Sequence, residues 1–277
     1  MRSRLLNIVF IGITVFSETL YLEAFKESHP LVSMFLILSI TGIAFAGYLD
    51  NDRSDKAIDH INHKSRLVIS STWSYVIYAI SFLSGLTSLI IFDSDFTNPS
   101  APIFCLALGI PIILLRAYAR WLSSYKAIGN VLIAFLCCLS LTMPGLLHGF
   151  VPQVYWQDLK PFLILLFAAV YIREVIKDAE DERGDKVLGR RTLPLHLGNN
   201  FKFYLLTLEF VVIVLVACGF FVFDWSIWIT LILISYIASI RVVHWKRQDW
   251  RKMQLFWKGF IGLGVVFRIL TLHTQVL

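Results

Sequence analysis

Two short stretches of the chain carry aspartates at the same spacing. The first runs from Asn51 to Asp59 and the second from Lys177 to Asp185, and both contain the pattern D-x-x-D-x-x-x-D. Residues at i, i+3 and i+7 lie on one face of a helix, where three like charges repel one another. A divalent cation removes this repulsion, and Mg²⁺ prefers a few carboxylates completed by water and phosphate oxygens. The repeated spacing therefore indicates two Mg²⁺-binding faces.

Basic residues accompany both stretches. They are Lys64 and Arg66 after the first, Arg173 before the second, Lys177 within it, and Arg190 and Arg191 after it. A diphosphate is strongly anionic, so arginine and lysine side chains would complete its shell together with Mg²⁺. The two faces, one from each half of the chain, could hold a diphosphate through bridging Mg²⁺. The alternative is that the acids are solvated helix ends and the bases anchor the chain at a membrane surface.

The composition excludes a soluble globular domain. Of the 277 residues, 57% are hydrophobic and 16% are charged, and the mean hydropathy is +0.70. Soluble domains carry about 25% charged residues, and a disordered chain would be far less hydrophobic. The net charge of +6 does not indicate nucleic acid, because the basic residues lie between apolar segments, as in membrane proteins.

Nine apolar segments approach the roughly 20 residues that a transmembrane helix needs. They are residues 5–22, 31–49, 70–92, 100–119, 128–149, 157–176, 201–222, 224–240 and 254–274. Backbone groups in lipid must be hydrogen-bonded internally, so we predict each segment to be an α-helix. The boundary near Asp224 is weak, and eight or ten spans are alternatives. The predicted fold is an all-α polytopic membrane protein with a single domain over residues 1–277.

The distribution of positive charge predicts the orientation. With the N-terminus inside, 22 of the 25 lysines and arginines fall on the inner side; the exceptions are Lys26, Lys160 and Arg268. This asymmetry predicts an integral membrane protein, in the inner membrane if bacterial, whose N-terminus and aspartate stretches are cytoplasmic. Ten of the nineteen acids lie in two of the inner loops, four in Asp50–Asp59 and six in Glu174–Asp185, which is unexpected for inner loops unless they bind metal.

Both stretches resemble the signature motifs of the UbiA superfamily of membrane prenyltransferases. The family has N-D-x-x-D-x-x-x-D in its first cytoplasmic loop, which Asn51 to Asp59 matches in full. Its second aspartate-rich motif follows the sixth helix and resembles Lys177 to Asp185, with Gly189 to Pro194 after it. The resemblance covers nearly the whole chain and implies a bundle of about nine helices with a cytoplasmic-side active site.

The resemblance also implies roles for particular residues. It assigns Mg²⁺ binding, and with it catalysis, to Asp52, Asp55, Asp59, Asp178, Asp181 and Asp185. It assigns substrate binding to Asn7, Asn51, Arg66, Tyr118, Arg120, Lys126, Asn130, Arg173 and Lys177. Two family prolines around Arg66 are missing, and Leu5 replaces a proline at the start of the first helix. Arg120 and Lys126 are alternatives for one basic position of the family.

The implied reaction is Mg²⁺-dependent transfer of a prenyl group from an isoprenoid diphosphate to a lipophilic acceptor, with release of diphosphate. The K-D-x-x-D-x-x-G-D form of the second motif resembles the branch of digeranylgeranylglyceryl phosphate synthases and homogentisate prenyltransferases more than the 4-hydroxybenzoate enzymes. A glycerol-phosphate lipid is therefore slightly favoured over an aromatic quinone precursor as acceptor. Membrane lipid is the surrounding partner, and neither nucleic acid nor a protein partner is predicted.

Two other functions fit part of the pattern. A terpene cyclase would use the same metal site without an external acceptor. A cation-coupled transporter would also place carboxylates in a helix bundle, but near the bilayer midplane. The two aspartate stretches are predicted at the cytoplasmic ends of helices, which favours the enzyme.

Overall fold

A computed structural model of the chain is almost entirely α-helical. It describes residues 2–23, 29–62, 69–94, 97–149, 151, 153–222, 232–234, 236–237 and 249–276. The helices with defined bounds are α1 (Arg2–Glu23), α2 (Pro30–Ser54), α3 (Lys56–Ile61), α4 (Ser71–Phe92), α5 (Ala101–Arg120), α6 (Ile128–His148), α7 (Gln153–Val187), α8 (Leu193–Leu197), α9 (Phe201–Val222) and α10 (Trp250–Val276). Residues 232–234 and 236–237 are also helical. The described residues also form two 3₁₀ helices, Leu122–Ser124 and Gly198–Asn200, and two short strands, β1 (Tyr125–Lys126) and β2 (Arg191–Thr192).

Proline and glycine mark several helix ends. Proline occupies the first turn of α2, α5 and α8, where its missing N–H costs no hydrogen bond. Gly189, with φ of 68°, follows the end of α7, and this left-handed conformation favours glycine. These local signals explain where the helices begin and end.

Seven of the described helical segments are long and apolar enough to cross a membrane. They are Arg4–Glu23, Pro30–Ser54, Ser71–Phe92, Ala101–Arg120, Ile128–His148, Leu193–Gly219 and Trp250–Leu272. Each corresponds to one of the predicted spans. The prediction of an all-α polytopic membrane protein is therefore confirmed.

The other two predicted spans have different outcomes. Residues 157–176 are helical within α7. Their uncharged stretch is short, however, because it begins after Lys160 and ends before Arg173 and so comprises only residues 161–172. Most of 224–240 lies outside the described residues. The count of nine spans stays a prediction.

The described residues form two compact units. The first comprises Met1–Leu122, Cys138–Gln153 and Ile269–Leu277, and the second comprises Ser123–Cys137 and Val154–Arg268. The prediction of a single domain over residues 1–277 is not tested by this division.

In the first unit, α2 packs against α1, α4 and α5. Its buried side chains Leu36 and Ile40 join Phe104 and Leu108 of α5 in one apolar core. Small residues bring the helices close together: Ser84 of α4, for example, donates from its hydroxyl to the Phe35 carbonyl of α2 at 2.8 Å. Close approach through small residues is the usual way in which helices associate inside lipid.

The core of the second unit is formed by α7, α9 and α10. Ile172 and Ile176 of α7 pack with Leu205 of α9 and with Trp257 and Phe260 of α10. In the same unit β1 and β2 pair in parallel, with Tyr125 opposite Arg191 and Lys126 opposite Thr192.

Large apolar side chains also cover the outside of the helices. Leu106, Ile113, Phe203 and Phe210 are 61%, 69%, 75% and 62% exposed. In water such a surface would drive association, whereas lipid tails solvate it. The surface therefore agrees with a chain embedded in a bilayer.

The close approach of α2 and α4 at Gly42 generates a prediction about stability. A Cβ on Gly42 would lie 2.1 Å from the Ser81 Oγ and 3.2 Å from the Ser81 Cβ. The Ser81 hydroxyl donates to the Ile77 carbonyl at 2.7 Å, so relieving the clash would break that bond or separate the helices. We expect Gly42→Ala to destabilise the protein by about 1–3 kcal/mol, measured by thermal unfolding in detergent.

Gly109→Ala is the matched control for this change. The nearest atom to a Cβ at that position is the Phe82 Cε2, at 3.8 Å, which is ordinary van der Waals contact. Alanine is also favoured over glycine inside a helix by about 1 kcal/mol, so this variant should unfold at the wild-type temperature or above it. Equal unfolding temperatures for the two variants would contradict the tight contact at Gly42.

Candidate active site

The first aspartate motif lies where α2 ends and α3 begins. Asp55 separates the two helices, with φ of −87° and ψ of 2°. Its N–H donates to the Asn51 carbonyl at 2.9 Å, and the Asp59 N–H donates to the Asp55 carbonyl at 2.8 Å. The four-residue hydrogen-bond spacing of a helix thus continues through Asp55, although Asp55 belongs to neither helix. The backbone keeps nearly the spacing that the sequence predicts for the three aspartates.

Most polar side chains of this motif are buried. Asn51, Asp55 and Asp59 are 6%, 6% and 4% exposed. The Asn51 Nδ2 donates to the Asp55 Oδ2 at 2.7 Å, whereas the Asn51 Oδ1 is buried and accepts no hydrogen bond from the described residues. A buried acceptor is costly until it gains a partner. Amide and carboxylate oxygens are the ligands that Mg²⁺ takes, so this group of side chains fits a divalent cation.

Arg4 of α1 contacts the first aspartate of the motif. Its Nη2 lies 2.5 Å from the Asp52 Oδ1, and its Nη1 donates to the Tyr48 carbonyl at 2.6 Å. The Asn7 Nδ2 donates to the Tyr48 hydroxyl at 2.9 Å. The structure therefore brings Asn7, a predicted substrate-binding residue, to the same end of α2 as Asp52. It adds Arg4, which the sequence analysis did not assign to the site.

Two predicted substrate-binding residues lie at the end of α5, in the same unit. Tyr118 is buried, at 7% exposed, and Arg120 is exposed at the last position of the helix. Their roles stay predictions.

The second aspartate motif lies within the single long helix α7. Asp181 and Asp185 are buried, at 8% and 2% exposed, and Asp178 is partly buried. Asn130 of α6 donates from its Nδ2 to the Asp178 Oδ2 at 2.8 Å. The Arg190 Nη1 lies 3.9 Å from the Asp185 Oδ1. The three aspartates share one helix face, and side chains from outside α7 contact its first and last members.

Burial raises the pKa of the Asp178 carboxyl well above its ordinary value. The hydrogen bond from Asn130 and the charge of Lys177 lower this pKa, and the acids Glu174 and Asp185 raise it. A divalent cation beside Asp178 would oppose the effect of burial, because it favours the charged form. Both the negative charge and the oxygen atoms of this helix face therefore suit a bound cation.

Arg173 and Lys177, both predicted to bind substrate, share one carboxylate. Arg173 forms an ion pair with Glu174, and the Lys177 Nζ lies 3.8 Å from the Glu174 Oε2. Glu174 is 4% exposed and precedes Asp178 by four residues, so it extends the acidic face of α7 by one turn. Sequence reasoning gave Glu174 no role, although this four-residue spacing was a signal for it.

The segment after the second motif pairs with the loop before α6. The backbone of Lys126 in β1 lies opposite Thr192 in β2, so Lys126 is held in the same unit as Asp185. The side chain of Lys126 and the whole of Arg66 lie outside what the structure describes, and their substrate-binding roles stay predictions.

The first aspartate motif lies in the first unit, and the second motif lies in the second unit. In the described ranges, no three His, Cys, Asp or Glu side chains form a group that could hold a metal ion by themselves. Aspartates spaced along a helix supply few ligands at any one point. This suits Mg²⁺, which usually keeps several waters and takes phosphate oxygens as ligands.

The curated proteins that resemble the chain include two that are named digeranylgeranylglyceryl phosphate synthase. The protein of Methanoregula boonei is 34% identical over 175 residues, which are 61% of this chain and 57% of the relative. The protein of Methanospirillum hungatei is 33% identical over 174 residues, which are 61% of this chain and 58% of the relative. The chain thus matches less than two thirds of the length of either relative.

Solved structures show the same fold. One, described as giving insights into digeranylgeranylglyceryl phosphate synthase in membranes, has a TM-score of 0.68 and 22% identity, and covers 95% of this chain and 93% of its own. A UbiA homolog from Archaeoglobus fulgidus bound to DMAPP and Mg²⁺ has a TM-score of 0.58 and 15% identity, and covers 95% of this chain and 97% of its own. At these identities the likeness concerns the fold.

The family model described as UbiA prenyltransferase family matches residues 10–264. This match includes both aspartate motifs and nearly all the described helices. The chain belongs to the UbiA prenyltransferase family.

Proposed function

We propose that this protein transfers a prenyl group from an isoprenoid diphosphate to a lipid alcohol that carries a phosphate, and releases diphosphate. One observation carries the proposal: the acidic face of α7 continues directly into the cations Arg173 and Lys177. Carboxylates suit Mg²⁺, and cations suit the phosphate oxygens that Mg²⁺ also binds. A membrane protein with both on one helix is suited to an anionic substrate with an apolar tail.

The oxygen atoms of the two aspartate motifs would hold the Mg²⁺ ions. In the first motif these are Asp52, Asp55 and Asp59, with the buried Asn51 Oδ1 beside them. In the second they are Asp178, Asp181 and Asp185. Bound Mg²⁺ would act as a Lewis acid that stabilises the negative charge of the leaving diphosphate. A homolog with the same fold is described as bound to DMAPP and Mg²⁺, which supports this proposal.

The residues of the chain bind the diphosphate, stabilise its charge and exclude water during the reaction. Arg173, Lys177 and the predicted Arg66 bind the diphosphate and stabilise its charge as it departs. The bond between C1 of the prenyl group and the diphosphate oxygen breaks, and its electron pair leaves with the diphosphate. The acceptor oxygen then attacks C1, and its proton passes to the released diphosphate. The apolar helices exclude the water that would otherwise capture the electrophilic carbon.

The acceptor follows from the relatives rather than from a contact in the structure. The curated relatives described above are all named digeranylgeranylglyceryl phosphate synthase. The form of the second motif, which includes Lys177, Gly184 and Asp185, favours the same branch. A phosphate on the acceptor would also be attracted to the basic residues of the second unit.

The orientation is part of the proposal. The excess of lysine and arginine on one set of loops supports a cytoplasmic N-terminus and a cytoplasmic active site. A water-soluble diphosphate would then be released into the cytoplasm.

Removal of one proposed ligand tests the metal site. We expect Asp181→Asn to lower the turnover rate by about 100-fold or more, because it weakens the stabilisation of the leaving diphosphate. Glu182→Gln is the matched control, since Glu182 is the next residue of α7 and is exposed. Both rates are measured with radiolabelled prenyl diphosphate in liposomes, and the fold of each variant is checked by thermal unfolding. Wild-type activity in Asp181→Asn would contradict the assignment.

The hydrogen bond from Asn130 to Asp178 gives a second prediction. Asn130→Ala leaves Asp178 without the donor that orients it, and such supporting partners typically affect metal affinity by 10–100-fold. We expect the Mg²⁺ concentration for half-maximal rate to rise by roughly tenfold. Asn199→Ala, at an exposed asparagine, should leave the Mg²⁺ dependence unchanged. An unaltered Mg²⁺ titration in Asn130→Ala would remove Asn130 from the metal site.

The proposed function is tested by supplying two acceptors in parallel. Purified protein receives Mg²⁺, radiolabelled geranylgeranyl diphosphate and either geranylgeranylglyceryl phosphate or 4-hydroxybenzoate. We expect label in a lipid product with the first acceptor only. Label with 4-hydroxybenzoate alone would assign the protein to aromatic acceptors. Mg²⁺-dependent release of diphosphate without any adduct would indicate a terpene cyclase, and no consumption of any prenyl diphosphate would leave transport as the remaining function.

A further inference from the structure

One lysine of α10 is buried against the acidic helix α7. Lys258 is 7% exposed and follows Trp257, which is 0% exposed. Trp257 packs with Ile172 and Ile176 of α7 in the core of the second unit. The packing of these two helices therefore holds the Lys258 ammonium near the part of α7 that contains Arg173 and Glu174, with both of which it interacts electrostatically.

The charged neighbours of Lys258 on α7 are of both signs. Its electrostatic neighbours on α7 are the cations Arg173 and Lys177 and the acids Glu174 and Glu180. Glu174 already pairs with both cations, and Glu180 is partly exposed to solvent. Glu174 is thus shared by two other cations.

Among the described residues, Lys258 has no ion pair. In the part of the chain that the structure describes, no carboxylate lies within 4.0 Å of its ammonium group. A buried charge without a partner is costly, and a protein retains it only where something else offsets the cost. A bound anion would supply the missing negative charge.

The position of these cations on α7 indicates which kind of anion would bind there. Lys177 lies four residues from Asp181, which is about 6 Å along the helix axis. An anion that touches the cations would therefore lie beside the proposed Mg²⁺ ligands. Phosphoryl groups bind both to Mg²⁺ and to lysine and arginine.

We infer that Lys258, together with Arg173 and Lys177, binds a phosphoryl group of a substrate. This inference rests on the proposed function and extends it to a helix that carries neither aspartate motif. Both substrates of that function contain phosphate: the prenyl diphosphate that donates and the lipid alcohol that accepts. The shared chemistry is a phosphate oxygen bound to a buried ammonium group, and kinetics distinguish the two sources.

The first test measures binding without turnover. Detergent-solubilised protein is titrated with radiolabelled inorganic diphosphate in the presence of Mg²⁺. We expect Lys258→Met, which keeps the length and removes the charge, to weaken binding about tenfold, and Lys258→Arg to bind within about threefold of wild type. Lys252→Met is the control, because Lys252 lies on α10 but is 55% exposed and pairs with Asp249 at 3.0 Å.

A stability measurement separates binding from a structural role. Without ligand, Lys258→Met should unfold at the wild-type temperature or above it, because the variant no longer buries an unpaired charge. Added inorganic diphosphate should raise the unfolding temperature of the wild type more than that of Lys258→Met. A lower unfolding temperature with unchanged diphosphate binding would make Lys258 a structural residue and overturn the inference.

Initial rates then identify the source of the phosphate. If the prenyl diphosphate is the ligand, Lys258→Met raises KM for that substrate and leaves KM for the acceptor unchanged. If the acceptor is the ligand, KM rises for geranylgeranylglyceryl phosphate alone. Unchanged KM values for both substrates together with wild-type diphosphate binding would refute the inference. Lys258-dependent diphosphate binding by a wild-type protein that forms no prenylated product would instead refute the proposed function and leave the binding site standing.

Discussion

A carboxylate buried among apolar helices is stable only when positive charge or hydrogen-bond donors accompany it. In each aspartate motif, a side chain from a neighbouring helix contacts one carboxylate. Arg4 of α1 contacts Asp52, and Asn130 of α6 contacts Asp178. Each contact comes from another helix, so the packing of each unit decides which side chains contact its motif. The burial that makes the carboxylates costly without cations is also what would make them strong ligands for Mg²⁺.

The rest of the fold supplies positions for these side chains. In the first unit, small residues let α2 approach its neighbours closely, and α2 carries the first motif at its end. In the second unit, the apolar stretch 161–172 of α7 runs directly into a charged stretch that ends at Val187. One rigid element therefore holds both the side chains suited to the membrane and the side chains suited to the diphosphate. A helix positions groups more firmly than a loop does.

The local spacing of residues predicted the two aspartate motifs. The side chains that contact them from other helices could not be predicted, for a physical reason. The spacing of Asp178, Asp181 and Asp185 is a property of a few neighbouring residues, so the sequence contains it directly. Arg4 and Lys258 reach their positions through the packing of helices that are distant in sequence, which no spacing encodes. The strands β1 and β2 are two residues long, and such short pairs have no periodicity to detect. The predicted span 157–176 ended before the second motif because charge there interrupts hydropathy without interrupting the helix.

The two units are discontinuous along the chain, and this affects how the protein is made. The first unit includes residues from Met1 to Leu122 and also Cys138–Gln153 and Ile269–Leu277. Translation and membrane insertion proceed from the N-terminus, so α1, α2, α4 and α5 emerge long before the end of α10. During that interval the first unit still lacks Ile269–Leu277. A stop codon late in the reading frame would therefore leave the first unit incomplete, although it would remove no residue of α1, α2, α4 or α5.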